Sequence, residues 1–139
     1  MIDGIKQIVS PDVPEPSINI YSNCLRVGNQ LFLSGMIAAD TDGNVICGDS
    51  VYEQAVVCFR RVKALIEAGG GQMNDIVKMT TYLVDMTKRD ELIRARRKFC
   101  WAVMPCSTLV GVTELALPSI LVEIDVSVML GAGDPMVDS

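Results

Sequence analysis

The most informative absence in this sequence is that of histidine. None of the 139 residues is a histidine, which excludes Ser-His-Asp and Cys-His catalysis, histidine metal sites and the usual acid-base group of a metal-independent ribonuclease. Any chemistry must therefore use carboxylates, hydroxyls, thiols, lysine, arginine, backbone groups or water.

Positive charge and paired cysteines are also scarce. The 12 lysines and arginines are outnumbered by 17 aspartates and glutamates, and the net charge is −5. This is the wrong sign for a protein that binds nucleic acid through its phosphates. The five cysteines are widely spaced and contain no C-x-x-C motif, which argues against a disulfide framework and against a zinc knuckle. We therefore expect no nucleic-acid partner, and we expect reduced, mostly buried thiols.

Long apolar runs are missing as well. No window approaches the uncharged stretch of about 18 residues that a membrane span needs, and Met1–Lys6 lacks the basic and then apolar order of a signal peptide. The length suits one domain over residues 1–139, with an extended N-terminal segment at 1–16 and a loose tail at 131–139. The sequence thus predicts a soluble, cytoplasmic protein of one domain.

The first predicted element is a β-hairpin. Strands Ile18–Val27 and Leu31–Ala38 flank Gly28 and Asn29, a two-residue connection in which glycine accepts a positive φ without steric cost. Gly35 interrupts the second, apolar strand. A glycine at such a position indicates a bulge or a close backbone approach.

An amphipathic helix is predicted next. It begins at Ser50, which has the spacing of a capping box to Glu53, and it ends at the glycines of positions 69–71. Arg61 and its charged neighbours lie off the apolar stripe. The stripe itself recurs at helical spacing and consists of Val51, Ala55, Phe59, Val62 and Ile66.

A second helix is predicted from Lys88 to Val103. Thr87 is its expected cap and Pro105 its expected stop. Half of the positive charges of the chain lie on this helix, a pattern that usually indicates a solvated face. The residues expected to face inward are Leu92, Phe99 and Val103.

Three further strands complete the predicted sheet. Asp75–Val84 alternates with period two, and Ser107–Val112 and Ile120–Leu130 are interpreted as a closing hairpin. The inward face of the first of these strands consists of Val77, Met79, Thr81 and Leu83. The inward face of the last consists of Ile120, Val122, Ile124, Val126, Val128 and Leu130.

The outward face of the last strand is mixed. It carries Leu121 and Met129 beside Glu123 and Asp125. Two helices cover only one face of such a sheet, so apolar residues on the other face predict contact with another subunit. The order of elements predicts an α+β fold with both helices on one side.

Four stretches together carry a resemblance to a known family. They are Tyr21-Ser22, Val27–Gly35, Asp75–Thr80 and Val122–Ile124, within a match that runs from roughly residue 14 to residue 128. The chain resembles the RidA reactive-intermediate deaminases, also called the YjgF family and earlier the endoribonuclease L-PSP proteins. The resemblance implies a chorismate-mutase-like α+β fold, assembled as a homotrimer with clefts between neighbouring subunits.

The resemblance also implies an activity. Members of that family hydrolyse small imines or enamines, such as 2-aminoacrylate, to keto acids and ammonia without a metal or other cofactor. A strand glutamate there orients or activates water, and backbone groups near a tyrosine and a Ser-Gly bulge line the cleft. These roles carry over to Glu123 as the catalytic residue and to Tyr21 and Gly35 as substrate-binding residues.

One part of the family pattern is missing. An arginine that holds the substrate carboxylate follows the proline of the penultimate strand in the family, but Ser107 stands at that position, and Met36 stands where glutamine is frequent. We assign Ser107 to substrate binding because its hydroxyl can hydrogen-bond a substrate oxygen. The pattern is closer to the arginine-less branches, which include aminomuconate deaminases. An arginine of the second helix, or Arg26, could replace the anchor.

Each candidate also has a structural interpretation. Glu123 could be an interface carboxylate, Tyr21 a core residue of its strand, and Ser107 an ordinary strand residue. Asp125 is assigned a structural role. Cys106 is assigned a packing or incidental role rather than that of a nucleophile, because no histidine partner and no thiolate-stabilising neighbour accompany it.

Two functions remain open. The first is a cofactor-independent hydrolytic deaminase of a small, carboxylate-bearing enamine, imine or aminomuconate-type metabolite. The second is a non-catalytic small-metabolite binder or interaction protein on the same trimeric fold. Endoribonuclease activity is a weaker third hypothesis, since negative charge and the absence of histidine both oppose it.

Overall fold

A six-stranded mixed sheet with two helices on one face forms the core of the protein. The computed structural model describes residues 4–16, 20–99 and 101–134. Its elements are β1 (Ile5–Gln7), β2 (Cys24–Val27), β3 (Gln30–Leu33), α1 (Val51–Ala68), β4 (Ile76–Leu83), α2 (Arg89–Arg96), β5 (Cys106–Gly111) and β6 (Val122–Met129). In space the strands follow the order β1-β2-β3-β6-β4-β5, and only β4 and β5 are parallel neighbours. The predicted α+β architecture is confirmed.

Helix α1 has the predicted ends and the predicted buried face. The Ser50 hydroxyl accepts a hydrogen bond from the Glu53 amide at 3.1 Å, and the Gly69 amide donates to the carbonyls of Leu65 and Ile66. All five residues of the apolar stripe are buried against the sheet. Capping and periodicity are local signals, which is why both were legible in the sequence.

The hairpin of β2 and β3 is confirmed at its turn. Gly28 has a φ of +61°, and the two strands pair from Cys24 with Leu33 to Val27 with Gln30. Both strands are shorter than predicted, and residues 18 and 19 of the predicted first strand lie outside the described part of the chain. The edge strand β1 was not predicted, because its three residues are all exposed and show no alternation.

The predicted bulge at Gly35 is confirmed. Phe32 pairs with Ser127, whereas Met36 pairs with Ile124. The chain advances four residues from Phe32 to Met36 but only three from Ser127 to Ile124. One extra residue therefore lies between the two pairs on the side of β3. Beyond the bulge the chain stays on β6, since Met36 and Ile124 exchange backbone hydrogen bonds of 2.8 and 3.2 Å.

Helix α2 is shorter than predicted. It ends at Arg96, and a 3-10 turn at Met86–Lys88 precedes it. Asp85 caps this turn by accepting a hydrogen bond from the Thr87 amide at 3.0 Å. The N-cap residue of α2 itself is Lys88, whose side chain makes no capping hydrogen bond, so the assignment of Thr87 as the cap is wrong. The Asp85 carboxylate is the stronger acceptor, and the Thr87 hydroxyl also donates to it.

The chain leaves α2 early because the next segment binds elsewhere. The Trp101 indole N–H donates to the carbonyl of Met73 at 2.9 Å, which holds this segment against the turn before β4. Phe99 still packs on the core, but Val103 is 79% exposed. The prediction that Val103 faces inward is therefore wrong.

The last two strands do not form a hairpin. β4 lies between them, parallel to β5 and antiparallel to β6, and the connection crosses the end of β4, where Val84 and Leu121 share a hydrogen bond. The hairpin interpretation is wrong because a partner strand distant in sequence leaves no local signature. The alternation of β6 is confirmed, since its inward residues Val122, Ile124, Val126 and Val128 are all buried.

One residue of β4 departs from the predicted alternation. Ile76 pairs with Val128 and Lys78 pairs with Ser127, so Val77 has no partner on β6. This bulge turns Val77 outward, where it is exposed, while the predicted inward residues farther along β4 are buried.

The described part of the predicted C-terminal tail is tied to the fold. Residues 131–134 form a turn, and the Gly133 amide donates to Asp75 at 2.8 Å. Residues 135–139 of that predicted tail lie outside the described residues.

Candidate active site

A cavity of about 360 Å³ lies beside the bulge of β3. The N-terminal segment, the bulge, α1 and the connection before β6 all contribute to its walls. Tyr21 and Gly35, both predicted substrate-binding residues, line this cavity together with Met36 and Arg61. The Tyr21 side chain is 56% exposed, so it is not a core residue of the described chain.

Gly35 lies against the predicted catalytic residue. A Cβ atom added to Gly35 would come within 2.6 Å of both Cδ and Oε2 of Glu123. Any larger residue at position 35 would displace the carboxyl group. The glycine therefore lets the backbone of the cavity wall approach Glu123 closely, as a bulge glycine typically does.

Glu123 is a half-buried carboxyl group with a perturbed acidity. Burial raises its pKa, and the nearby charge of Asp125 raises it further. No side chain of the described residues donates a hydrogen bond to its carboxylate. A carboxyl group whose pKa is raised toward neutrality suits general acid-base chemistry.

Asp125 and Tyr82 extend this polar group across the sheet. Tyr82 lies opposite Glu123 on β4, and its hydroxyl donates to Asp125 Oδ2 at 3.2 Å. Burial, the Asp125 charge and this hydrogen bond raise the pKa of Tyr82. The sequence placed Tyr82 on the outward face of its strand, but only the register between β4 and β6 brings it to Glu123.

Ser107 contacts an arginine from the second helix. Arg96 Nη2 donates to Ser107 Oγ at 2.6 Å and also approaches Met79 Sδ at 3.0 Å. The sequence marked Arg96 only as one of six cations on that helix. The contact depends on where α2 ends relative to β5, which no local pattern encodes.

The register of the sheet puts Ser107 and Glu123 on opposite faces. Ser107 pairs with Met79, whose side chain is buried beneath the helices, and Met79 pairs in turn with Val126. Glu123 lies three residues along β6 from Val126 and points to the face that the helices leave uncovered. One chain therefore does not bring these two predicted site residues together.

Arg61 is a cavity residue that the sequence did not single out. Its Nη1 atom donates to the carbonyls of Ile37 and Ala39, both at 2.7 Å. Burial lowers the pKa of this guanidinium. Arg61 fixes the backbone that follows the bulge, and the available signal was only that a charged residue of α1 lies off the apolar stripe.

The motifs and the fold agree with one known family. A sequence model of the family described as Endoribonuclease L-PSP matches residues 13–130. The chain belongs to this family, also known as the RidA or YjgF family. A 2-iminobutanoate/2-iminopropanoate deaminase from Dermatophagoides farinae is 32% identical over 111 residues, which cover 79% of this chain and 86% of that protein.

Solved structures of the family share the fold. A protein of unknown function from Pseudomonas aeruginosa is 33% identical, with a TM-score of 0.82 over 94% of this chain and 95% of that one. RidA from an Antarctic Psychrobacter species is 27% identical, with a TM-score of 0.79 over 90% and 99% of the two chains. The predicted YjgF-type α+β fold is thereby confirmed.

The described residues also limit other kinds of site. Among them, no group of three or more His, Cys, Asp or Glu side chains could hold a metal ion, and none of their helices has the length and apolarity of a membrane span. Cys24 and Cys58 are buried; burial raises the pKa of Cys24 to about 11 and also raises the pKa of Cys58. Cys106 is exposed, which argues against the packing role within one chain and leaves the incidental role that was predicted beside it.

Proposed function

We propose that this protein is a cofactor-independent hydrolytic deaminase of a small, carboxylate-bearing imine or enamine, acting in clefts between subunits of a homotrimer. The observation that carries the proposal is the contact between Gly35 and Glu123. It places a half-buried carboxyl group of raised pKa directly behind the wall of a cavity. The relative named a 2-iminobutanoate/2-iminopropanoate deaminase supports the same reaction class.

Hydrolysis of an imine needs a group beside the C=N bond that can first accept a proton and then donate it. In the proposed mechanism the substrate is the protonated imine, and the Glu123 carboxylate takes a proton from water while the water oxygen bonds to the carbon of the C=N group. The protonated Glu123 then returns this proton to the amino nitrogen of the adduct. The C–N bond breaks to release ammonia, the hydroxyl group of the adduct gives its proton to the Glu123 carboxylate, and a keto group remains. An enamine first becomes its imine tautomer. Tyr21 and the backbone at Gly35 would position the substrate.

The proposal of an inter-subunit site follows from the placement of the candidate residues. Tyr21, Gly35 and Glu123 lie together around the bulge, whereas Ser107 lies on the opposite face of the sheet. Both groups can contact one small molecule only if two chains supply them. The uncovered face also carries Phe32, which is 44% exposed and suits burial against a second chain.

Ammonia release tests the proposal. We expect the wild type to release ammonia from 2-iminobutanoate or 2-aminoacrylate, with 2-aminomuconate as the test of the aminomuconate branch. Glu123→Gln should lower kcat by about 100-fold or more, because it removes the proton-transferring group. Glu114→Gln is the matched control, since Glu114 is an exposed loop residue. Unchanged turnover in Glu123→Gln would remove Glu123 from the mechanism, and no turnover of any of these compounds by the wild type would refute the deaminase.

A non-catalytic metabolite binder is the second candidate. Ser107 at the position of the family arginine favours it, because a hydroxyl holds a carboxylate less tightly than a guanidinium does. Binding of a small keto acid by the wild type without any ammonia release from the corresponding imine would establish the binder in place of the enzyme.

A further inference from the structure

Arg96 is a cation fixed at the edge of the sheet by neutral groups. Arg96 is the last residue of α2, and its Nη2 group donates to Ser107 Oγ and Met79 Sδ. A sulfur atom is a weak acceptor and a hydroxyl carries no charge. Neither group neutralises the guanidinium.

The surroundings of Arg96 also leave it without a compensating charge. Burial lowers the pKa of this side chain, and no charged partner offsets the loss of solvent. Its Nε atom is buried and has no hydrogen-bond acceptor. Within the described ranges Lys88 forms an ion pair with Glu91, whereas no carboxylate lies within ion-pair distance of Arg96. A partly desolvated cation without a counter-charge is unfavourable until an anion binds to it.

We propose that Arg96 binds the carboxylate of the substrate beside Ser107, so that α2 supplies the charge that the family places on β5. This inference rests on the proposed deaminase for the identity of the ligand, a small carboxylate. The Ser107 hydroxyl accepts from Arg96, which leaves its own proton free to donate to the second carboxylate oxygen. The guanidinium and the hydroxyl thus form one anion-binding pair.

Two of the other arginines that the sequence offered already have partners. Arg26 donates to the carbonyls of Gly28 and Gly69. Arg94 lies 4.4 Å above the ring of Tyr52. Arg97 is exposed at the C-terminal end of α2, which makes it a matched control for charge, position and side-chain length.

Equilibrium binding separates this inference from the deaminase itself. The ligand is 2-oxobutanoate, a stable keto acid, and its neutral amide 2-oxobutanamide is the comparison. We expect Arg96→Met to weaken binding of 2-oxobutanoate by about 10- to 100-fold, the range of a charge-assisted hydrogen bond, while binding of the amide is unchanged. Arg96→Lys should fall between the wild type and Arg96→Met, because it keeps the charge and loses the planar fork. Arg97→Met should bind both ligands as the wild type does.

Three outcomes of the binding measurement overturn the inference. They are unchanged binding of 2-oxobutanoate by Arg96→Met, an equal loss for the charged and the neutral ligand, and no binding of 2-oxobutanoate by the wild type. A thermal melt shows that each variant is folded, and Arg96→Lys carries the test if Arg96→Met does not fold. Turnover of an imine by both wild type and Arg96→Met with equal KM would leave the deaminase in place and refute the role of Arg96. Selective loss of 2-oxobutanoate binding in Arg96→Met, together with no imine turnover by the wild type, would support the role of Arg96 and refute the deaminase.

Discussion

Glu123 occupies a position that is unfavourable for a charged side chain. It is half-buried beside Asp125, and Gly35 approaches its carboxyl group closely across the bulge. The pKa of Glu123 is raised because the folded protein disfavours the ionised form. Such a cost to stability is characteristic of residues retained for chemistry.

This cost predicts how stability depends on pH. A carboxyl group whose pKa is raised by folding contributes most at pH values below its unfolded pKa, and the contribution is lost as pH rises through the folded pKa. At neutral pH we therefore expect Glu123→Gln to have a higher melting temperature than the wild type. The difference should shrink as pH falls to about 4, where glutamate is largely protonated in both states. A Glu123→Gln protein that melts below the wild type at neutral pH would contradict this account of the charge.

The individual residues of the candidate site differ in how far sequence could identify them. Tyr21, Gly35 and Glu123 belong to short motifs, and the structure places Gly35 against Glu123 and Tyr21 on the same cavity. The contact of Arg96 with Ser107 lay beyond prediction, because it depends on the early end of α2 and on the parallel pairing of β5 with β4. Neither feature leaves a local pattern.

Among the elements, those defined by local signals were predicted best. Helix α1 has a capping serine, an apolar stripe and terminal glycines, and it forms as predicted. Strand β5 has the composition of a strand, but its partner β4 is distant in sequence, and the assumption of a hairpin with β6 failed. Pairing between distant strands is decided by packing of the whole sheet rather than by any one segment.

The bulge between β3 and β6 makes a prediction of its own. Gly35→Ala would place a methyl group 2.6 Å from the Glu123 carboxyl carbon, so either the side chain or the bulge must move. We expect a loss of about 1–3 kcal/mol in the free energy of unfolding, and a fall in turnover of about 100-fold if the carboxyl group shifts by an ångström. Gly111→Ala is the control, since its added methyl would meet only the flexible end of Met86. Wild-type turnover and stability in Gly35→Ala would show that the close approach has no consequence.

At the scale of the whole molecule, the helices leave one face of the sheet without a cover. Phe32 and Val110 are exposed on this face, and Leu121 and Met129 are only partly buried. Val110 pairs with Tyr82, which lies opposite Glu123, and Phe32 pairs with Ser127 farther along β6. The same surface would therefore carry both the proposed subunit contact and part of the proposed site.

The proposed assembly can be tested by mass. Light scattering of the purified protein should give three times the 15.1 kDa of one chain. Phe32→Asp should give the mass of one chain, because a carboxylate at the centre of an apolar contact would be desolvated without a partner, and its turnover should fall at least about tenfold. Val103→Asp, at a position 79% exposed and away from the sheet, should change neither quantity. A wild-type protein with the mass of a single chain would refute the trimer and the shared site.

The position of β6 has a consequence for how the protein is made. Among the strands of the described residues β6 is synthesised last, yet it lies between β3 and β4 and joins the two parts of the sheet. Until it has left the ribosome, the nascent chain holds two half-sheets with open edges and an incomplete core. Closure must therefore follow synthesis, and a nascent chain that stalls before residue 122 exposes the edges of β3 and β4 to pairing with other chains.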